Sequence, residues 1–174
     1  PQCKGNVMAF EIRNARPEDC EVIRDMIFEL ARYERLESAC KASRGKIERE
    51  LFGPNPVIRC VLGWEIDEAT GREEPVAFAL YFFNFSTFLT KRGLYLEDLF
   101  VRPQARRRGY GRKIMHHLAK TALELDCGRF EWTVLDWNQP AIDFYEKLGA
   151  RLQEDWRICR LEGEALRAAG LTNA

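Results

Sequence analysis

Between Val101 and Met115 the chain reads VRPQARRRGYGRKIM. Arg106, Arg107, Arg108, Arg112 and Lys113 crowd around Gly109, Tyr110 and Gly111, directly after a strand-like run and directly before a helical pattern. A turn from strand into helix leaves several backbone N–H groups without intrahelical partners, at the positive end of the helix dipole. A pyrophosphate satisfies such groups. Gly109 and Gly111 lack the Cβ that would hold the main chain away from the oxygens, and glycine tolerates positive φ. The alternative is a basic surface loop. The Lys-Ser/Thr of the nucleoside-triphosphate loop does not follow the second glycine, and the third glycine of the dinucleotide fingerprint is missing.

Composition limits what such a loop serves. Among 174 residues, Lys+Arg and Asp+Glu both number 27, so the formal net charge is zero. That balance argues against bulk attraction to nucleic acid or to a membrane surface. Hydrophobic residues make up 46% and charged residues 31%, the profile of one soluble globular domain. The six cysteines stand far apart, with no CxxC or CxxH spacing, which predicts reduced thiols of a cytoplasmic protein and no metal site. No run is long and apolar enough to span a bilayer. Residues 8–174 are expected to form a single domain, and residues 1–7, which carry no pattern, to be a tag remnant or disordered extension.

The elements that must position the loop follow from periodicity. FEIRNA (Phe10–Ala15) alternates as a strand. Pro17, Glu18 and Asp19 open a helix in which Val22, Ile23, Met26, Ile27, Leu30 and Ala31 share one face. KIERELFG is a shorter helix closed by Gly53-Pro54. VIRCVLGWEI and PVAFALYFFNF are strands joined by a polar tip, and GLYLEDLFVRP is a further strand. The helix after the basic loop runs to Gly128, followed by the strand RFEWTVLDW and by a helix from Asn138 to Gly149. ARLQED and WRICRLEGEAL read as two terminal strands. Strands flanked by helices imply an α/β fold with a mixed sheet covered on both faces.

The spacing Arg106-x-x-Gly109-x-Gly111, in its strand–loop–helix context, resembles the coenzyme A signature of the GNAT N-acetyltransferases. VLDWNQPAIDFYEKLGA resembles the second signature of that superfamily. With ELARYE, LYLEDLFV, W-R-I-C and LEGEALR, the resemblance extends to the spermidine/spermine (diamine) N-acetyltransferase family over about Met8 to Ala169. VLDWNQ and EGEALR are most similar to its thialysine N-epsilon-acetyltransferase branch, also called diamine acetyltransferase two. Where polyamine-specific members carry an acidic residue before a tryptophan, this chain has Ser86-Thr87-Phe88.

The resemblance implies a GNAT fold, a mostly antiparallel twisted sheet with helices on both faces. It implies acetyl-CoA as co-substrate, a small primary amine such as thialysine, a lysine-like compound or a polyamine as acceptor, and a homodimer. Acetyl transfer needs a proton acceptor for the amine, a polarised thioester carbonyl, a donor for the leaving thiolate and alignment of the reactants. By resemblance Glu97 acts on the amine as base, as water relay or as a binding group, and Tyr145 protonates the thiolate or packs as a core tyrosine. Adjacent carboxylates on a regular strand face opposite ways, and the family's bulge at this point would let Asp98 approach the amine beside Glu97. Leu99, Phe100, Val101, Arg106, Arg107, Arg108, Gly109, Tyr110, Gly111, Arg112, Asn138, Gln139, Pro140, Ala141 and Tyr145 are implied contacts of the cofactor. Tyr33, Glu34, Glu97, Asp98, Glu131, Trp132, Thr133 and Glu154 are implied contacts of the amine. The competing readings are a dedicated spermidine/spermine acetyltransferase, a nucleic-acid-binding module built on the basic loop, and a CoA-binding regulator without catalysis.

Overall fold

A computed structural model of the chain describes residues 8–171; the expected tag remnant or extension at 1–7 lies outside the described residues. The chain divides into two compact units, one up to Thr133 and one from Val134 onward.

The first unit is a five-stranded sheet in the order β1 (Met8–Asn14), β2 (Arg59–Asp67), β3 (Glu73–Ser86), β4 (Lys91–Val101) and β5 (Arg129–Trp132). The first three pairings are antiparallel and the last is parallel. A parallel pair needs a crossover, and α3 (Tyr110–Glu124) supplies it between β4 and β5.

Both faces of the sheet are covered. On one, Ile23, Met26 and Leu30 of α1 (Cys20–Tyr33) and Ile47 and Leu51 of α2 (Arg44–Phe52) pack with Cys60, Leu62, Phe78, Leu80 and Phe100. These follow the 3.6-residue period on the helix and the 2-residue period on the strand, as the sequence predicts. Each large apolar side chain buried this way contributes about 1.5–3 kcal/mol relative to an exposed one. On the other face Phe10, Val76, Val101, Ala105 and Tyr110 pack together, and α3 buries Ile114, Met115, Leu118 and Ala122. Gly63 has a local reason: a Cβ there would stand 2.5 Å from Cζ of Phe10, whose ring crosses β2 at that point.

The second unit holds α4 (Gln139–Glu146) and α5 (Gly163–Leu171). Two expectations fail in this stretch. The strand RFEWTVLDW stops at Trp132, and neither ARLQED nor WRICRLEGEAL forms a strand. Strand-like alternation becomes a strand only where a neighbouring edge supplies hydrogen bonds, and residues 151–162 pair with none of the described strands. The end of WRICRLEGEAL enters α5 instead, because Ala165, Leu166, Arg167, Ala168 and Ala169 are strong helix formers.

Candidate active site

The register of β3 on β4 slips at one point. Leu80 stands opposite Asp98 and Tyr81 opposite Leu96, so Glu97 has no partner across the pair. An extra residue of this kind is a β-bulge, which interrupts alternation and redirects the side chains on either side. Glu97 is exposed and Asp98 half-buried. Pairing of β4 with β5 ends at Leu96 and Trp132. From Glu97 to Val101, then, β4 is flanked by β3 on one side and by none of the described strands on the other. Such a strand edge offers backbone donors and acceptors to an extended, amide-bearing chain.

The bulge places acids together. Burial pushes the Asp98 carboxyl up to about 7, and the charges of Glu97 and Glu34 add to the shift. Burial also raises Glu34, which caps the C-terminus of α1. That helix end carries the negative pole of the dipole. Asp98 lies within electrostatic range of both Glu97 and Glu34, a place suited to an ammonium group, and it exchanges its proton near neutral pH, where a general base works best.

The basic loop sits at the far end of β4. Arg107 and Gly109 both take left-handed backbone conformations, φ 63° and φ 79°, and Gly109 is the N-cap residue of α3. No side chain caps this helix, so the first amides of α3 are available to an anion.

The four loop arginines are not equivalent. Arg106 donates to the Val101 carbonyl at 2.9 Å and lies over the rings of Tyr33, 4.8 Å away, and Phe100, 5.6 Å away. Arg108 pairs with Glu65 of β2 at 2.5 Å. Arg107 and Arg112 are exposed and form no ion pair among the described residues. Tyr33, expected at the amine, therefore lies beside a cofactor-loop arginine.

Of the remaining expected amine contacts in this unit, Glu131 is committed elsewhere. Its Oε1 accepts from Asn84 Nδ2 at 2.8 Å and its Oε2 pairs with Arg129 at 3.2 Å. Trp132 is half-buried with its ring 4.9 Å from Phe130, and Thr133 is exposed. Ser86, Thr87 and Phe88 form the β3–β4 turn, where Ser86 Oγ accepts from the Leu89 amide. Five strand residues from Tyr81 to Ser86 span about 17 Å, so this turn does not touch an amine held at the bulge of the same chain.

In the second unit Asn138 is buried and its side chain accepts from the Ala141 amide, so it caps α4. Pro140 occupies the first turn, where its missing N–H costs nothing. Gln139 donates to Asp143 at 2.6 Å, bracing the same turn. Tyr145 is half-buried, with its ring 5.1 Å from Phe144. Glu154 is exposed in the irregular segment that follows.

The acetyltransferase (GNAT) family model matches residues 23–150. The chain belongs to the GNAT acetyltransferase family. This GNAT chain is 43% identical over 162 residues to the thialysine N-epsilon-acetyltransferase of Sus scrofa, covering 90% of itself and 94% of that protein. It is 48% identical over 96 residues to an L-ornithine N5-acetyltransferase of Arabidopsis thaliana, covering 55% of itself and 42% of that protein. Among solved structures, an integron cassette protein from V. cholerae superimposes with a TM-score of 0.77 at 26% identity, over 95% of this chain and all of that one.

The protein is thus an enzyme, an acetyl-CoA-dependent amine N-acetyltransferase. Among the described residues of this GNAT enzyme no group of three His, Cys, Asp or Glu side chains stands close enough to hold a metal ion, and no helix is long and apolar enough to cross a membrane. The bulge stands where the family resemblance implied one; what escaped the sequence reading is the raised carboxyl of Asp98 and the contact of Glu65 with Arg108. Glu65 was passed over, although a carboxylate inside the run VLGWEI is a visible irregularity.

Proposed function

We propose that this GNAT enzyme acetylates a small molecule bearing one reactive primary amine, with thialysine or a comparably short amine preferred over long polyamines. The observation that carries the reading is the bulge, which sets Asp98, with its carboxyl near 7, among Glu97 and Glu34. The acceptor arrives as an alkylammonium with a pKa of about 10.4. Glu34 and Glu97 hold its charge, and Asp98, directly or through water, takes its proton. The freed nitrogen lone pair attacks the thioester carbonyl carbon. The carbonyl oxygen becomes an oxyanion, which a main-chain amide on the open β4 edge between Leu99 and Val101 stabilises. Collapse breaks the C–S bond, the CoA thiolate takes a proton from the Tyr145 phenol, and the nitrogen gives up its second proton through water to restore that phenol. The products are the N-acetyl amine and free CoA.

On the cofactor side the backbone of Arg107–Arg112 cradles the pyrophosphate. Arg107 and Arg112, which form no ion pair among the described residues, are the guanidinium groups placed to add charge. By their likeness to the second GNAT signature, Asn138, Gln139, Pro140 and Ala141 are assigned to the pantetheine arm. The sequence offered Glu97 as the base; Asp98 is the better matched proton acceptor, with Glu97 binding the cation. Glu131 is held by Asn84 and Arg129, which supports a role in bracing β5 over one in contacting the amine.

A homodimer fits the apolar side chains that the second unit exposes at Trp156, Ile158, Leu161 and Leu166. Free thiols at Cys20 and Cys60 in the core support a reducing compartment, the cytoplasm. The family match crosses from one compact unit into the other, which supports a single catalytic domain. A nucleic-acid module is disfavoured because Arg106 and Arg108 are engaged by partners within the chain, the Val101 carbonyl and Glu65. The test is a set of specificity constants for thialysine, lysine, putrescine, spermidine and spermine with acetyl-CoA. A spermine constant above that of thialysine refutes the acceptor assignment.

A further inference from the structure

Glu65 is the one glutamate among the buried polar residues of the described chain, 9% exposed in the middle of a sheet. A carboxylate in such a place is costly unless charge and hydrogen bonds compensate it. Two groups do so, and both belong to the cofactor loop. Nη1 of Arg108 pairs with Glu65 Oε1 at 2.5 Å. The Tyr110 phenol stands close enough to interact electrostatically with both the Glu65 carboxylate and the Arg108 guanidinium. Glu65 thus grips the two residues that flank Gly109.

The grip is reinforced from β1. The Phe10 ring stacks on the Tyr110 ring at 3.9 Å with the planes only 6° apart, and the Lys113 ammonium lies 5.5 Å from the Phe10 ring. Gly63, two residues before Glu65, leaves the space that the Phe10 ring uses. The segment held in this way contains two departures into left-handed backbone, at Arg107 and Gly109 on either side of Arg108. A non-glycine residue in that region is strained and persists only where its surroundings over-determine it. Here the surroundings are Glu65 and Phe10, on strands more than forty residues away in sequence.

We propose that Glu65 is a positioning residue for the coenzyme: through Arg108 and Tyr110 it holds the loop in the conformation whose amides receive the pyrophosphate. This rests on the reading of residues 106–112 as the pyrophosphate cradle. Arg108 then acts as a strut, with its charge turned to the sheet and not to the phosphates. Glu65 touches neither substrate nor reacting atoms, so its loss acts on coenzyme affinity and not on the chemical step.

The experiment compares wild type, Glu65→Gln, Arg108→Gln, the double variant and Gly109→Val with two acetyl donors, acetyl-CoA and S-acetyl-pantetheine, which has no pyrophosphate. Thermal melting of each confirms the fold. For Glu65→Gln the KM for acetyl-CoA is expected to rise about tenfold, corresponding to about 1.4 kcal/mol, with kcat unchanged. Its kcat/KM for S-acetyl-pantetheine should equal that of wild type, because that donor never meets the loop. The double variant should lose no more than either single, as coupled residues do. Equal losses with both donors, a lowered KM for acetyl-CoA, or an Arg108→Gln loss that adds to that of Glu65→Gln would each overturn the proposal. Should Gly109→Val bind acetyl-CoA normally, the cradle itself is wrong and the proposal falls with it. A loss in Gly109→Val with none in Glu65→Gln overturns the positioning role alone.

Discussion

Replacing Asp98 by Asn tests the site where its chemistry and its energetics meet. The substitution keeps the shape and removes the ionisation. Burial first, then the charges of Glu97 and Glu34, carry the Asp98 carboxyl from 3.8 to about 7. A base with that pKa is about 9% ionised one pH unit below it and about 91% one unit above, so wild-type turnover should rise about tenfold from pH 6 to pH 8. In Asp98→Asn that limb should vanish, leaving activity that follows the free-amine fraction toward pH 10, and turnover at pH 8 should fall about 10²-fold, the lower end of what a positioned base contributes. Stability should move the other way. Between about pH 4 and pH 7 folded Asp98 keeps a proton that the unfolded chain has released. Its raised pKa therefore favours the fold at low pH, and that contribution is lost as the pH rises through 7. One pK unit is about 1.4 kcal/mol, so the loss is at most about 4 kcal/mol. Asp98→Asn, which never ionises, should melt higher than wild type at pH 8, with the difference shrinking toward pH 5. The assays are steady-state rates with saturating acetyl-CoA from pH 5.5 to 9.5 and thermal melts over the same range. A break near pH 7 that survives in Asp98→Asn, or a variant less stable than wild type at pH 8, refutes the reasoning.

Gly109→Val should weaken acetyl-CoA binding, measured by calorimetry, by at least tenfold, about 1.4 kcal/mol, because φ 79° is closed to a β-branched residue. Arg107→Ala or Arg112→Ala should cost less than this, since each leaves the backbone cradle intact. Tyr145→Phe should lower kcat while the KM for acetyl-CoA stays within a few-fold, the pattern of a group needed only in the transition state; unchanged kcat at saturating amine would make Tyr145 a packing residue. The specificity constant for thialysine should exceed that for spermine, and Thr87→Asp should change the ratio little in any site built from one chain, given the distance of about 17 Å along β3.

Much of the frame was legible because it rests on periodicity. Phe78 and Leu80 alternate with Ala77 and Ala79, and Ile23, Met26 and Leu30 recur at helical spacing, so β3 and α1 announce which side faces the core. The left-handed turn into α3 was legible for a different reason: a glycine between a strand and a helix states a backbone requirement, met at Gly109, while Gly111 falls inside the helix. WRICRLEGEAL misled because alternation reports which faces are apolar, while a strand also needs a partner edge. Asn138 shows the same limit, since its cap on Ala141 is a local interaction of a kind that sequence spacing reports, whereas a contact to pantetheine is not.

The harder cases share one cause, the dependence of charge on distance. Adjacent acids at 97 and 98 are interchangeable in a sequence, and simple alternation would send them to opposite sides of β4. A single unpaired residue opposite Leu80 and Tyr81 cancels that alternation. It leaves one carboxylate exposed and the other half-buried within range of Glu34, on a helix more than sixty residues earlier. The same holds for the arginines. RRR presents three equal cations, yet a buried glutamate on β2 takes Arg108, the Val101 carbonyl and two rings take Arg106, and Arg107 keeps its charge outward. Coulomb energy falls with separation and rises with burial, and both quantities come from strand register. The residue types of this site could therefore be read from the chain, while the division of labour among them was decided by a one-residue slip in one strand pair and by a glutamate facing the loop from another strand.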